Sequence, residues 1–150
     1  MGVKPGLKFD VAGFHAKPGE KVKLIFSNND EMMHNIVLGQ SGKRLEIVES
    51  AIALGAEGLA KHFVPEIPAV LASTPIVMPG EQFTLDFIAP AESGEYPYVC
   101  TFPGHSLTMR GVMKVSEDPD KAIVQVNKIV AENTTPRNGI LEVGDEPRVV

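Results

Sequence analysis

The chain has 150 residues, 43% of them hydrophobic and 22% charged, with a formal net charge of −5. That is enough chain for one domain around a single core, and the acidic balance excludes nucleic acid as a partner, whose phosphates demand a basic face. No stretch approaches the roughly 18–20 consecutive apolar residues of a membrane span, and the opening MGVKPGLKFD lacks the apolar run of a signal peptide.

Period-two alternation predicts the first elements. Leu7, Phe9 and Val11 share one face of a strand, with Lys8 and Asp10 on the other. After the turn cluster KPGE, Val22, Leu24 and Phe26 repeat the pattern, and SNND ends it. HNIVLG, from His34, is a short buried strand. Residues 44–63 break the rhythm: Leu45, Val48, Ile52, Ala56, Leu59 and Phe63 recur at helical spacing, while Gly55 and Gly58 divide the segment into two short helices as readily as one long one. Pro65, Pro68 and Pro75 mark a loop back to the sheet. Strands return with Phe83, Leu85 and Phe87, with Tyr96, Tyr98 and Cys100, and with GVMKVS at 111–116. About six short strands with turns between them predict an all-β antiparallel sandwich carrying a helical insertion around 44–63. After Ser116 the character changes. Residues 117–150 form a C-terminal extension outside the central sheet, with a helix capped at Asp118 or an added strand over 123–130 as its alternatives, and it is expected to cover an edge strand, contact another subunit or link to a further domain.

The chemistry concentrates in CTFPGHSLTMRG, which holds the single cysteine. A nucleophilic role for Cys100 needs a base and an orienting third group; His105 is near, but Met109 has no part in such a mechanism, and no local signature of a cysteine protease is present. As metal donors the three residues agree. Thiolate, imidazole and a weak thioether suit copper cycling between two oxidation states. The set needs a second imidazole, to be found among His15, His34 and His62. His34 sits where a turn meets a buried strand, an end that lies beside Cys100 if the two strands are neighbours. His15 and His62 read as structural. A site with two bridging coppers needs two cysteines and is excluded, and a separate catalytic copper needs more clustered histidines than remain.

These motifs, CTFPGHSLTMRG and MHNIVL, resemble the ligand loop and upstream His-Asn pair of azurin-type blue copper proteins in the cupredoxin family. The loop spacing is similar to azurin and auracyanin relatives rather than to plastocyanin. The resemblance covers roughly residues 5–116. It implies a Greek-key β-sandwich over a domain at 1–116, one type 1 copper per chain, and one-electron transfer by a protein that is not an enzyme. That protein is either a free carrier or the electron-transfer domain of a larger oxidoreductase. Copper storage or delivery without a redox role is the alternative. The implied ligands are His34, Cys100 and His105, with Met109 axial. Met33, Asn35, Phe102 and Pro103 surround them, Asn35 tying the two loops together near Cys100. The ring edge of His105 is implied to reach the surface in an apolar patch of Met32, Phe102, Pro103 and Leu107, where redox protein partners dock. A periplasmic or otherwise extracytoplasmic location is implied, with a leader removed from the chain. Azurins place glycine before the upstream histidine, where this chain has Met33, and carry an N-terminal disulfide that one cysteine cannot make.

Each residue type has a physical reason. A cation beside a buried thiolate offsets its charge and keeps it deprotonated, well below the roughly 8.5 of a free thiol. The Phe102 N–H can donate to the sulfur. Pro103 stiffens the loop, and Gly104 allows the turn before His105. Zinc binds the same donors and competes with copper during expression.

Overall fold

A computed structural model describes residues 1–117 and 148–150. The expectations for a helix at Asp118 and a strand over 123–130 lie outside the described residues. The strands, in chain order, are β1 (Val3–Lys4), β2 (Lys8–Phe9), β3 (Gly13–Ala16), β4 (Lys21–Ser27), β5 (Val37–Gly39), β6 (Val70–Ser73), β7 (Gln82–Ile88), β8 (Gly94–Val99), β9 (Arg110–Val115) and β10 (Arg148–Val149). One helix, α1 (Arg44–Ile52), and two single-turn 3₁₀ segments, Gly55–Glu57 and Leu59–Lys61, lie between β5 and β6.

The strands form the expected sandwich. One sheet runs β3-β9-β8-β5-β6, the other β10-β4-β7, and β1-β2 is a separate small hairpin. Val22, Leu24 and Phe26 turn one face of β4 inward, and its full-length antiparallel pairing with β7 runs from Lys21↔Ile88 to Ser27↔Gln82. Inward residues of both sheets build one core around Phe14, Leu24, Phe26, Ile36, Tyr98 and Met113. Tyr98 is fully buried and donates its hydroxyl to the Val11 carbonyl. Gly111, opposite it on β9, leaves room for that ring: a Cβ there would collide with the Tyr98 ring and hydroxyl.

Two strands escape the alternation rule. β3 is buried on both faces and pairs in parallel with β9; β6 follows the proline-rich loop and pairs with β5. The helical insertion packs against the side of the sandwich, but with a narrower face than its periodicity implies. Ile47 and Ala51 are the buried residues of α1, Ile47 lying with Val37, Ala69 and Val99. Leu45, Ile52 and Leu59 are exposed. The helix ends at Ile52, so a single turn suffices for docking and the longer stripe has nothing to face. The end of the extension covers an edge: Arg148–Val149 adds a parallel strand beside β4, which would otherwise be outermost in its sheet, with Arg148 Nε donating to Glu20 Oε1 at 3.0 Å.

One relationship places the chemistry. β5 and β8 are antiparallel neighbours, Val37 opposite Val99 and Leu38 opposite Tyr98. His34 precedes β5 and Cys100 follows β8, so both fall at the same end of the sandwich. Among the described residues no helix is long and apolar enough to cross a membrane.

Candidate metal centre

His34 is held by its backbone. It forms an isolated antiparallel bridge with Val77, the Val77 N–H donating to its carbonyl at 2.8 Å. Its loop is braced by Asn28, whose Nδ2 donates to the carbonyls of Met32 and Val77, each at 2.8 Å. Cys100 and Met109 close the second loop. The Cys100 N–H donates to the Met109 carbonyl and the Met109 N–H to the His105 carbonyl, both at 2.9 Å. The His105 N–H donates to the Phe102 carbonyl at 3.0 Å. Gly104 between them has φ of 86°, a conformation that suits glycine.

Three donor atoms converge. Cys100 Sγ lies 3.9 Å from His34 Nδ1 and 3.7 Å from His105 Nδ1, and the two Nδ1 atoms are 3.2 Å apart. All three residues are buried. An ion about 2.0–2.3 Å from imidazole nitrogen and thiolate needs such donors about 3–4 Å apart, so the spacing fits one ion. The chemistry fits as well. Two buried imidazole nitrogens and a sulfur facing one another cannot all be satisfied by the protons they share, whereas a central cation satisfies every lone pair. Met109 is fully buried at the end of the same loop, immediately before β9.

The titration behaviour agrees. Burial pushes the Cys100 thiol up to about 11, with the backbone N–H groups of Asn35 and Phe102 acting the other way. Metal-free Cys100 is therefore a protonated thiol at neutral pH, and the thiolate requires the cation. Burial lowers the pKa of His105, and the neighbouring His34 adds to that, keeping the imidazole neutral and able to ligate.

The surroundings join the two loops. Asn35 Oδ1 accepts the Thr101 N–H at 2.8 Å; Asn35 Nδ2 donates to Thr101 Oγ1 at 2.9 Å and to the His62 carbonyl at 2.8 Å. Thr101 Oγ1 donates in turn to the Phe63 carbonyl at 2.6 Å. His62 and Phe63 both adopt left-handed backbone, φ 56° and 55°, which turns their carbonyls inward. Phe102 stacks obliquely on His105 with ring centroids 4.7 Å apart, and meets Phe63 edge-on at 5.4 Å.

Of the patch residues, Met32 and Leu107 are exposed, as is Pro103; Phe102 is half-buried, and so is Met33. His105 is only 3% exposed, so its ring is buried rather than at the surface. His15 stays away from the site, buried in β3 with Nε2 donating to the Ser116 carbonyl at 3.1 Å. His62 Nδ1 accepts the Ile76 N–H at 3.1 Å. Sequence reasoning missed two contributors. One is Thr101, inside the quoted loop but not a metal donor. The other is Asp30, whose Oδ2 lies 2.8 Å from His34 Nε2, a hydrogen bond that holds its carboxyl below the ordinary range.

The sequence model of copper binding proteins of the plastocyanin/azurin family matches residues 2–116. Auracyanin-A of Chloroflexus aurantiacus is 32% identical over 112 residues, which cover 73% of this chain and 68% of that protein. Azurin iso-2 of Methylomonas sp. strain J is 36% identical over 89 residues, covering 57% and 67%. Among solved structures, the blue copper protein auracyanin A superposes with a TM-score of 0.69 at 29% identity, covering 77% of this chain and 94% of that one. Dithionite-reduced auracyanin from Roseiflexus castenholzii gives 0.67 at 32% identity, covering 77% and 90%.

Proposed function

The chain belongs to the plastocyanin/azurin family of copper-binding proteins, and we propose that His34, Cys100 and His105 would hold its one copper, with Met109 as a further, weaker donor. The protein is a one-electron carrier with a type 1 site. The observation that carries this reading is the convergence of Cys100 Sγ and two Nδ1 atoms within 3.9 Å of one another.

When bound, copper supplies a one-electron couple between its cuprous and cupric states. The residues supply a frame that need not rearrange. Two donors stand on a loop clamped by the Cys100–Met109 and Met109–His105 backbone bonds, and the third is pinned by Val77. A loop tied down by backbone hydrogen bonds at the ends of paired strands holds its geometry better than a free one. Phe102 covers one face of His105, excluding water from the ring that lies between the donors and the surface.

Redox protein partners meet the molecule at the apolar surface of Met32, Phe102, Pro103 and Leu107 above His105. Such a surface permits close approach without the large buried area of a lasting complex, as transient electron-transfer encounters require. Residues 1–116 form the copper-binding domain, 117–150 an extension, and the working location is extracytoplasmic.

The test is the visible spectrum after copper(II) is added to metal-free protein. An intense band toward the red, bleached by reduction and restored by oxidation, is expected, and Cys100→Ser removes it. Copper binding without that reversible band overturns the reading in favour of storage or delivery.

A further inference from the structure

His34 uses one ring nitrogen toward the other donors and the second toward a carboxylate. Its Nε2 and Asp30 Oδ2 are 2.8 Å apart, with the His34 side chain fully buried and that of Asp30 32% exposed. A carboxylate only accepts, so the proton sits on Nε2 and the lone pair on Nδ1, the atom facing Cys100 and His105. Asp30 does not reach His34 by chance of rotamer. Its own N–H donates to Asn28 Oδ1 at 3.0 Å, and Asn28 Nδ2 donates to the carbonyl of Val77, the residue bridged to His34. Asn28 is 1% exposed. A closed circuit of hydrogen bonds thus runs from His34 through Asp30, Asn28 and Val77 back to His34.

We propose that Asp30 is a positioning and tuning residue of the metal centre: its carboxylate fixes the His34 tautomer and makes that imidazole a stronger donor to copper(II) than to copper(I). The proposal rests on the type 1 reading above. A carboxylate behind a ligating imidazole places negative charge one ring away from the ion and raises ligand basicity, and removing such a partner typically weakens metal binding about 10–100-fold. Stabilisation follows the charge of the ion, so the dication gains more than the monocation. The carboxylate therefore lowers the reduction potential.

The experiment compares copper-loaded wild type with Asp30→Asn and Asp30→Glu, reading the visible band, the reduction potential by voltammetry and the thermal midpoint. A tenfold selective loss of copper(II) affinity in Asp30→Asn is expected, equivalent to a potential about 59 mV higher. The band is retained, and Asp30→Glu returns the potential part of the way. A wild-type protein without the reversible band defeats the type 1 reading itself. A wild-type band with an unmoved potential in Asp30→Asn overturns the role of Asp30 alone. Nitrogen-15 NMR of metal-free wild type supplies a readout that needs no variant to fold: the ring proton of His34 is expected on Nε2, and finding it on Nδ1 overturns the proposal.

Discussion

Asn35 reaches across the end of the sandwich to Thr101, accepting its backbone N–H at 2.8 Å and donating to its hydroxyl at 2.9 Å. Both residues are buried. This pair fixes the distance between the loop that carries His34 and the loop that carries Cys100 and His105.

Replacing Asn35 by leucine removes three hydrogen bonds and leaves the Thr101 N–H unpaired in the interior. Each buried orphan costs about 1–3 kcal/mol, so a loss of about 2–4 kcal/mol is expected in denaturant unfolding of the metal-free protein. Thr101→Val keeps the N–H bond and is expected to lose less. Equal losses for the two variants argue against Asn35 as the principal tie.

Met109→Leu keeps the side chain apolar and close to the original volume. The thioether is a weak donor that favours the oxidised ion, so the visible band is retained and the potential rises. Voltammetry checks the sign; a lower potential is the contrary result.

Cys100 carries a proton in the metal-free protein, its thiol raised to about 11 by burial. Metal binding needs the thiolate, so uptake at neutral pH releases about one proton, and apparent affinity increases as the pH is raised. His105, neutral already, adds none near neutrality. Calorimetry in buffers of different ionisation enthalpy counts the protons. Cys100→Ser is expected to abolish the release, and a count near zero in wild type contradicts the assignment.

His15 links stability to acid. Burial lowers its pKa below the ordinary 6.5, against a raising contribution from the Ser116 carbonyl; Arg148 and Lys17 lower it further and Glu20 raises it. Unfolded chain therefore binds a proton at a pH where folded chain does not. Above 6.5 both are neutral and His15 adds nothing; as the pH falls from there toward the folded value, stability declines, then levels off below it. Denaturation midpoints measured at about pH 7.5 and about pH 5.5 are expected to differ more in wild type than in His15→Gln. An identical acid dependence in both assigns the effect elsewhere.

Legibility in the sequence followed the range of the interactions involved. The Cys-x4-His-x3-Met spacing is contained in one loop, so three candidate donors were readable from ten residues. His34 was readable because its strand, HNIVLG, and the one ending at Cys100 are apolar enough to demand burial side by side. β3 was not, since a strand buried on both faces loses its alternation, and β6 is hidden among prolines. β10 pairs with β4 over more than a hundred residues of separation, and nothing local in Arg148–Val149 announces a strand. Asp30 was invisible for another reason. A carboxylate in a turn is usually solvated, and only the fold of residues 28–34 aims it at an imidazole nitrogen.

The left-handed pair His62–Phe63 has a consequence for how the centre responds to a change of charge. Each non-glycine residue held in that conformation costs roughly 1–2 kcal/mol, and here the two carbonyls so displayed receive Asn35 and Thr101. Those polar groups are thereby answered by fixed dipoles instead of mobile solvent. Dipoles anchored in backbone cannot swing when an electron arrives or departs, so the insertion gives the centre an electrically stiff wall, alike before and after each transfer.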